Sequence, residues 1–467
     1  MKSKKIIPDF SVGDSSRMKD FKIPSEIEFI LDELNKFGYE AYLVGGCVRD
    51  FILGKTPSDY DITTNALPQT VMTIFEDTAY SIGTGLSHGT VTVIKDGLSA
   101  EVTTFRIDGK YTDNRHPESI LFSSDLKDDV LRRDFTVNAM AYSKKDGFVD
   151  LVDGVSDINN QIIRCVGDPE TRFEEDALRI LRALRFSSVL GFKIEDETSK
   201  AIFSKAKLLE NISKERISSE FVKLLCGKNV EEVILKYRDV IAVFIPEIKP
   251  TFDFEQHTPY HKYDVITHSV KATAATDVED KILRIAAFFH DIGKPECFFT
   301  DEKGVGHFYG HAKRSMEITD TVLKSLRIDN KLRNGVLELI KNHDAPIEEN
   351  DNRIKRLLRN LGAEQFFRLI KLQRADNKAQ SETVFYRQER FDRVEKAAEK
   401  ILAEKTCFSL SNLNINGNDL ISLGIPQGKI IGIILNRLLE EVIENKLLNE
   451  YDMLVSKVWD YKGEHLW

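Results

Sequence analysis

Between residues 27 and 37 the apolar positions Ile27, Phe29, Ile30, Leu31, Leu34 and Phe37 recur near helical spacing, and Gly38 ends the pattern, which predicts a helix there. A short apolar run over residues 41–44 follows and ends at Gly45-Gly46; it predicts a buried strand. A second helix is predicted over 48–53, and a strand over 60–63 after the turn-forming Thr56-Pro57-Ser58. Further strands are predicted over 89–95, 98–105 and 147–151. Strands and helices thus alternate to about residue 160, the pattern of an α/β domain. Beyond Gly167-Asp168-Pro169 strand signals almost vanish. Residues 173–190 read as one amphipathic helix, 198–209 and 219–225 as further helices, and the remainder as predominantly helical. Breaks fall near 246–250, 301–306, 344–351 and 409–417, and the polar residues 1–21 read as a loose arm.

The chain has 467 residues, enough for two to four domains, with 42% hydrophobic and 30% charged residues, as in globular proteins and unlike disordered tails. No apolar run approaches the ~20 residues of a membrane-spanning helix, so no membrane association is expected. The net charge of −9 argues against a protein that coats nucleic acid, yet leaves room for a local basic groove. Five well-separated cysteines, and an N-terminus without the apolar core of a secretion signal, point to a reducing cytoplasm.

The richest chemistry lies in residues 43–61. If Asp59 and Asp61 lie in a strand, they share a face, and two like charges so close call for a hard divalent cation between them. The Gly45-Gly46 turn opens a helix N-terminus suited to phosphate, and Arg49, one turn in, can reach the same anion. Glu101, on a strand that could lie beside Asp59–Asp61, is a candidate third acid. Isolated Asp-x-Asp pairs are mostly turn residues; Gly-Gly and Arg-Asp at this spacing favour nucleotidyl transfer, in which metal ions clamp attacking and leaving oxygens.

Residues 43–61 resemble the signature of the class II tRNA nucleotidyltransferase and poly(A) polymerase family. So, in the family's order, do Leu131-Arg-Arg-Asp-Phe-Thr-Val-Asn-Ala139, Asp150-Leu-Val-Asp-Gly154 and Glu175-Asp-Ala-Leu-Arg179. The resemblance implies a polymerase-beta-like α/β head with Mg2+ at Asp59 and Asp61, followed by all-α neck, body and tail domains. It places the arm at 1–21, the head at 22–160, the neck at 161–245, the body at 246–380 and an RNA-binding tail at 381–467. Asp176 can accept from the exocyclic amine of cytosine or adenine while Arg179 donates to the neighbouring ring acceptor, a pattern that rejects G and U. The family's selectors of CTP and ATP match these two residues. By the same resemblance Arg182 and Arg185 approach the incoming nucleotide, and Arg133 and Asp134 serve its triphosphate and ribose. A plain ion pair between Glu175 and Arg179 is the competing reading of this segment.

Residues 82–90 resemble the CCA-adding form of the family, and residues 106–117 resemble a flexible loop absent from enzymes that add only CC. Both favour addition of CCA to the tRNA 3′ end; an A-adding enzyme or a poly(A) polymerase remains the nearest alternative. Seven of the ten histidines fall between His257 and His343. His290-Asp291 closes an apolar helix and resembles the HD phosphohydrolase superfamily, in which His268, His290, Asp291 and Asp376 match the core ligands of a divalent transition metal or Mg2+. His311 and His343 are candidate ligands of a second metal. A metal-dependent phosphohydrolase whose head only recognises RNA is therefore an alternative of another class. The basic residues Arg353, Lys355, Arg356, Arg359, Arg368, Lys371, Arg374 and Lys378 form a candidate phosphate-tracking face, as do the glycine-opened helix starts of residues 416–428.

Overall fold

The computed structural model describes residues 22–109, 120–404 and 406–463; the expected arm and most of the expected mobile loop lie outside them. The chain divides into two compact units, Met1–Pro246 and Glu247–Trp467.

In the first unit, helix Ser25–Lys36 buries Ile27, Ile30, Leu31 and Leu34, and Gly38 leaves it with φ +87°. Strands β1 (Ala41–Val44), β2 (Tyr60–Thr64), β3 (Tyr80–Gly85), β4 (Thr90–Lys95) and β5 (Leu98–Thr104) follow. After the separate ribbon of β6 (Arg106–Asp108) and β7 (Ile120–Phe122) come β8 (Met140–Ser143) and β9 (Gly147–Asp150). Seven of them form one sheet in the order β3-β4-β5-β2-β1-β8-β9, antiparallel except for the β2–β5 pair. Strands β3 and β8 carry no clear alternation signal and escape the sequence pattern; pairing with the neighbouring strands makes them part of the sheet.

The expected single helix over 173–190 is two helices, Pro169–Glu175 and Leu178–Leu190. Asp168 caps the first by accepting from Thr171 N–H. The chain then breaks at Asp176 (φ −138°, ψ 101°), whose carboxylate accepts from Leu178 N–H. A short acid that can satisfy a free N–H competes with helix continuation, which apolar periodicity alone does not register.

The second unit is nearly all helix: Val265–Ala274, Lys281–Phe289, His311–Ser325, Asn330–Asn342, Asp351–Lys378, Arg387–Ala403, Gly417–Ser422, Lys429–Ile443 and Tyr451–Gly463. Asp264, Asp280, Asp329, Asn350 and Asn416 each accept backbone N–H groups at a helix start. The 28-residue helix is kinked at Gly362, where φ is +76°. The predicted break at 301–306 is a two-stranded hairpin, Phe299–Thr300 with Gly306–His307. Leu420, Ile434, Leu438, Leu454 and Tyr461 make a separate core near the C-terminus. No helix among the described residues is long and apolar enough to cross a membrane.

Candidate active sites

The parallel β2–β5 pairing sets Asp61 directly opposite Glu101. Asp59 lies in the bend before β2, because the strand begins at Tyr60; the shared-face argument therefore does not apply to it. Asp59, Asp61 and Glu101 do not bring three ligand atoms within 4.8 Å of one another. The Gly45 turn closes over this place: a Cβ at Gly45, whose φ is +79°, would stand 3.3 Å from both Asp61 Oδ2 and Arg133 Nη1. Burial raises the Asp61 carboxyl; Arg133 opposes that shift, and Glu101 and Asp59 add to it. An uncompensated acid of this kind, beside two others, is what a divalent cation neutralises.

Arg133 is held by Asp129 at 3.0 Å, which Arg132 also grips at 2.6 Å. Arg49 is buried and engaged rather than extended toward an anion: it donates to Asn138 at 2.7 Å and to Asp50, and its guanidinium lies 5.4 Å from the Phe186 ring centroid. Gly46 begins helix Gly46–Ile52, so the glycine turn sits where the sequence put it.

In the neck helices Asp176 pairs with Arg216 at 3.0 Å and Arg179 with Glu175 at 2.6 Å. The ion pair that competed with base selection thus exists, and Arg179 also donates to the carbonyls of Arg172 and Arg132. Arg182 meets Asp134 at 2.5 Å, and Arg185 meets Glu220 at 2.8 Å while its guanidinium lies 3.9 Å from the Phe186 centroid. Arg216 is a site neighbour the sequence reading missed; its only signal is a basic residue in a helix 40 positions from Asp176.

In the second unit His268, His290, Asp291 and Asp376 bring one ligand atom each within 4.8 Å, and Asp291, His311 and His343 do the same. Asp291 joins the groups. Its Oδ2 lies 3.3 and 3.2 Å from Nε2 of His268 and His290, and its Oδ1 lies 3.3 and 3.5 Å from Nε2 of His311 and His343. Each of these histidines directs Nδ1 at a carbonyl: Ala379, Ala287, Phe308 and Ile340 at 3.3, 2.8, 2.9 and 2.7 Å. A carbonyl only accepts, so Nδ1 carries a proton, and Nε2 serves as a ligand where a bound cation keeps the ring neutral. The buried Nε2 atoms of His268 and His290 face carboxylate oxygens only: Asp376 Oδ1 lies 2.8 and 3.6 Å from them, and Asp291 Oδ2 lies close to both. Burial opposes the imidazolium of His290, but Asp291 and Asp376 outweigh it and lift that group to about 10. Gly293 permits the arrangement: a Cβ there would stand 2.6 Å from Ser315 N, and its own N–H donates to Ser315 Oγ. Lys294, also missed, is buried 2.6 Å from Asp291.

The basic run of the long helix is largely neutralised. Arg356 pairs with Glu440 and Glu444, Arg359 with Glu440, Arg368 with Asp280 and Glu364, and Arg374 with Asp392 and Glu395. Arg353 lies 3.6 Å from Glu348, while Lys371 and Lys378 are exposed. Apart from Glu364 and Glu348, these acids lie far away in sequence or on another helix, so a count of local charge overstates the free positive surface. In the tail, Asn416 and Asp419 close a capping box, and Gly428 precedes helix Lys429–Ile443.

Residues 41–164 match the poly A polymerase head domain, 191–251 the RNA and SrmB-binding site of polymerase A, and 307–458 the tRNA nucleotidyltransferase domain 2. A CCA-adding enzyme of Leuconostoc mesenteroides is 33% identical over 452 residues, 96% of this chain and all of the relative. One from Ligilactobacillus salivarius is 32% identical over 436 residues, 91% of this chain and 94% of the relative. The crystal structure of the Bacillus stearothermophilus CCA-adding enzyme in complex with CTP superposes with a TM-score of 0.72 at 27% identity, covering 95% of this chain and 99% of that one. A head of this kind depends on a divalent metal. By sequence and by fold, the chain belongs to the family of CCA-adding tRNA nucleotidyltransferases.

Proposed function

We propose that this chain builds the 3′-terminal CCA of tRNA from CTP and ATP in the cytoplasm, without a nucleic-acid template. The carrying observation is Asp61, set opposite Glu101 and beside Arg133 under the Gly45 turn. Asp61, with Asp59 and Glu101, would hold Mg2+, and Arg133 would bind the triphosphate. Asp134 orients Arg182 toward the nucleotide, and Asp176 with Arg179 selects C and A by their exocyclic amines. Arg185 supports the same wall. The layout is a head over 22–160, a neck over 161–245, an HD-type body over 246–380 and a tail over 381–467 that grips RNA. Three tRNAs, ending at the discriminator base, at C and at CC, each offered CTP, ATP or both, test the reading. Growth of all three to CCA and no further is expected. Growth only from CC marks an A-adding enzyme, and unlimited A addition marks a poly(A) polymerase.

A second activity is favoured by the four histidines that present Nε2 to Asp291 and Asp376. His268, His290, Asp291 and Asp376 would hold one divalent metal, and His311 and His343 with Asp291 a second, in a phosphohydrolase site. When bound, a divalent cation would supply charge neutralisation at the transferring phosphate in the head and activation of water in the body. Phosphate release from a simple phosphomonoester by the metal-loaded protein, lost in H290A, is expected; equal release by H290A refutes it.

A further inference from the structure

Phe186 stands where the neck helix Leu178–Leu190 meets the head. Three guanidinium groups gather over its ring: Arg185 at 3.9 Å from the centroid, and Arg182 and Arg49 at 5.4 Å each. Arg182 and Arg185 share its helix, whereas Arg49 belongs to the head helix that the Gly45 turn opens. The Phe186 ring is 8% exposed, and the fully buried Phe135 of the Arg-Arg-Asp segment meets it edge to face at 5.7 Å and 78°. Phe135 N–H in turn donates to Asp134 Oδ1, on the carboxylate that holds Arg182. A buried phenylalanine is ordinarily core. An aliphatic side chain would fill the same space, but cations gathered around it would lose hydration and repel one another. Each arginine is paired with an acid, Asp50, Asp134 or Glu220. Even so, Arg185 sits below its ordinary pKa: burial lowers it, Glu220 opposes the shift, and Arg182 and Arg49 add to it. A phenyl face carries the negative part of the ring quadrupole and attracts what the acids leave uncompensated.

We propose that Phe186 is a positioning residue: its ring fixes the directions of Arg182 and Arg185, and so sets the wall that receives the incoming nucleotide. The proposal rests on the reading of these two arginines as nucleotide-binding. An acid alone leaves a guanidinium free to swing about the carboxylate; a ring beneath it removes that freedom. A nucleotide that meets a pre-set wall orders less on binding, and the gain falls on KM rather than on the chemical step.

The test uses the full-length protein with Mg2+, CTP against a tRNA ending at the discriminator base, and ATP against one ending in CC. Phe186→Met keeps an apolar side chain of adaptable shape and removes the ring, whereas Phe186→Tyr keeps the ring. Phe186→Met should raise KM for both nucleotides about tenfold, the scale of one desolvated cation–π contact. Its kcat should stay within about twofold of the parent, and its tRNA affinity by filter binding should hold. Phe186→Tyr should return KM to near the parent value. In an Arg185→Met background the same Phe186→Met change should raise KM by a smaller factor, because the effect passes through the arginine. A Phe186→Met protein with a lower melting temperature but the parent's KM overturns the proposal and leaves CCA addition standing, as does an equal rise of KM in Phe186→Tyr. If Phe186→Met does not fold, Phe186→Leu takes its place, and failure of both to fold marks the ring as core alone and overturns the proposal. A parent protein that incorporates neither nucleotide overturns both the proposal and the reading of the arginines on which it rests.

Discussion

Arg182 Nη2 lies 2.5 Å from Asp134 Oδ2, tying the arginine-bearing neck helix to the Arg-Arg-Asp segment of the head across 48 positions of sequence. Burial alone would raise the Asp134 carboxyl; Arg182 outweighs it and holds the group below the usual carboxylate range. Arg182→Met should leave that buried carboxylate without its main partner. The expected loss is about 1–3 kcal/mol, less than for a fully enclosed pair because a third of the Arg182 side chain is exposed. Urea unfolding measures it, and Arg182→Met combined with Asp134→Asn should recover part of the loss.

Asp129 makes a pH prediction. Burial would raise its carboxyl, and Arg133 and Arg132 together hold it below the ordinary value. A lowered folded-state pKa means that the ionised form stabilises the fold above the unfolded value of ~3.9, and that this contribution is lost as pH falls through the folded value. Asp129→Asn should therefore be less stable than the parent at pH 7, with the difference shrinking as acid is added. Chemical denaturation at neutral pH and in steps below pH ~4 would show the two curves converging only under the more acid conditions; parallel curves throughout would contradict the assignment.

Much of this was legible before any coordinates, and the failures have physical causes. Ile27, Ile30, Leu31 and Leu34 announce their helix because burial on one face forces the spacing. Asp61 and Glu101 could be placed on adjacent strands because each lies in a run of β-favouring residues. Asp59 lies just outside the strand expected over 60–63, as observed, so strand alternation could not fix where its side chain points. Asp176 hid the neck break because its effect works through a hydrogen bond to Leu178 N–H and an ion pair with Arg216 from another helix. The arginines of the long helix looked free for the same reason: Glu440 and Glu444 are more than 80 residues away in sequence. The histidine cluster was readable from the HD pair and its spacing, whereas the approach of Lys294 to Asp291 was not.

Asp61 and Glu101 should not be equivalent. Asp61 stands within reach of the Gly45 turn and Arg133, while Glu101 is exposed beside it. Asp61→Asn should reduce CTP and ATP incorporation by more than the ~10–100-fold that follows loss of an outer partner of a metal site. Glu101→Gln should fall between that and the parent. Filter binding of tRNA should change little in either, and an Asp61→Asn enzyme of normal turnover would remove Asp61 from the catalytic centre.

Because Arg356 and Arg359 are engaged with Glu440, they should contribute to stability rather than to RNA affinity. Arg359→Ala should lower the unfolding free energy modestly, by about 0.5–1 kcal/mol, the value of a partly exposed pair. The salt dependence of tRNA binding should be unaltered, since a residue that releases no phosphate counterion leaves the slope in place. A shallower slope in Arg359→Ala would mean that the arginine leaves Glu440 for the RNA.

Asp291 offers one oxygen to His268 and His290 and the other to His311 and His343, so the two candidate metal positions share it. Nε2 of His311 and His343 stand 3.1 Å apart, and both carry a lone pair when Nδ1 holds the proton, an arrangement that repels unless a cation lies near. Elemental analysis of the purified protein should find two equivalents of divalent metal in the parent. His343→Ala should retain one, because His268, His290, Asp291 and Asp376 remain a complete set. Asp291→Asn should retain none: the amide supplies one neutral oxygen in place of a bridging anion, and each group loses its shared charge. Chelation should lower the melting temperature of the parent but not of Asp291→Asn, since only a protein that holds metal in its folded state is stabilised by it. Full metal content in Asp291→Asn would show that the carboxylate pairs with Lys294 and the histidines without serving as a ligand.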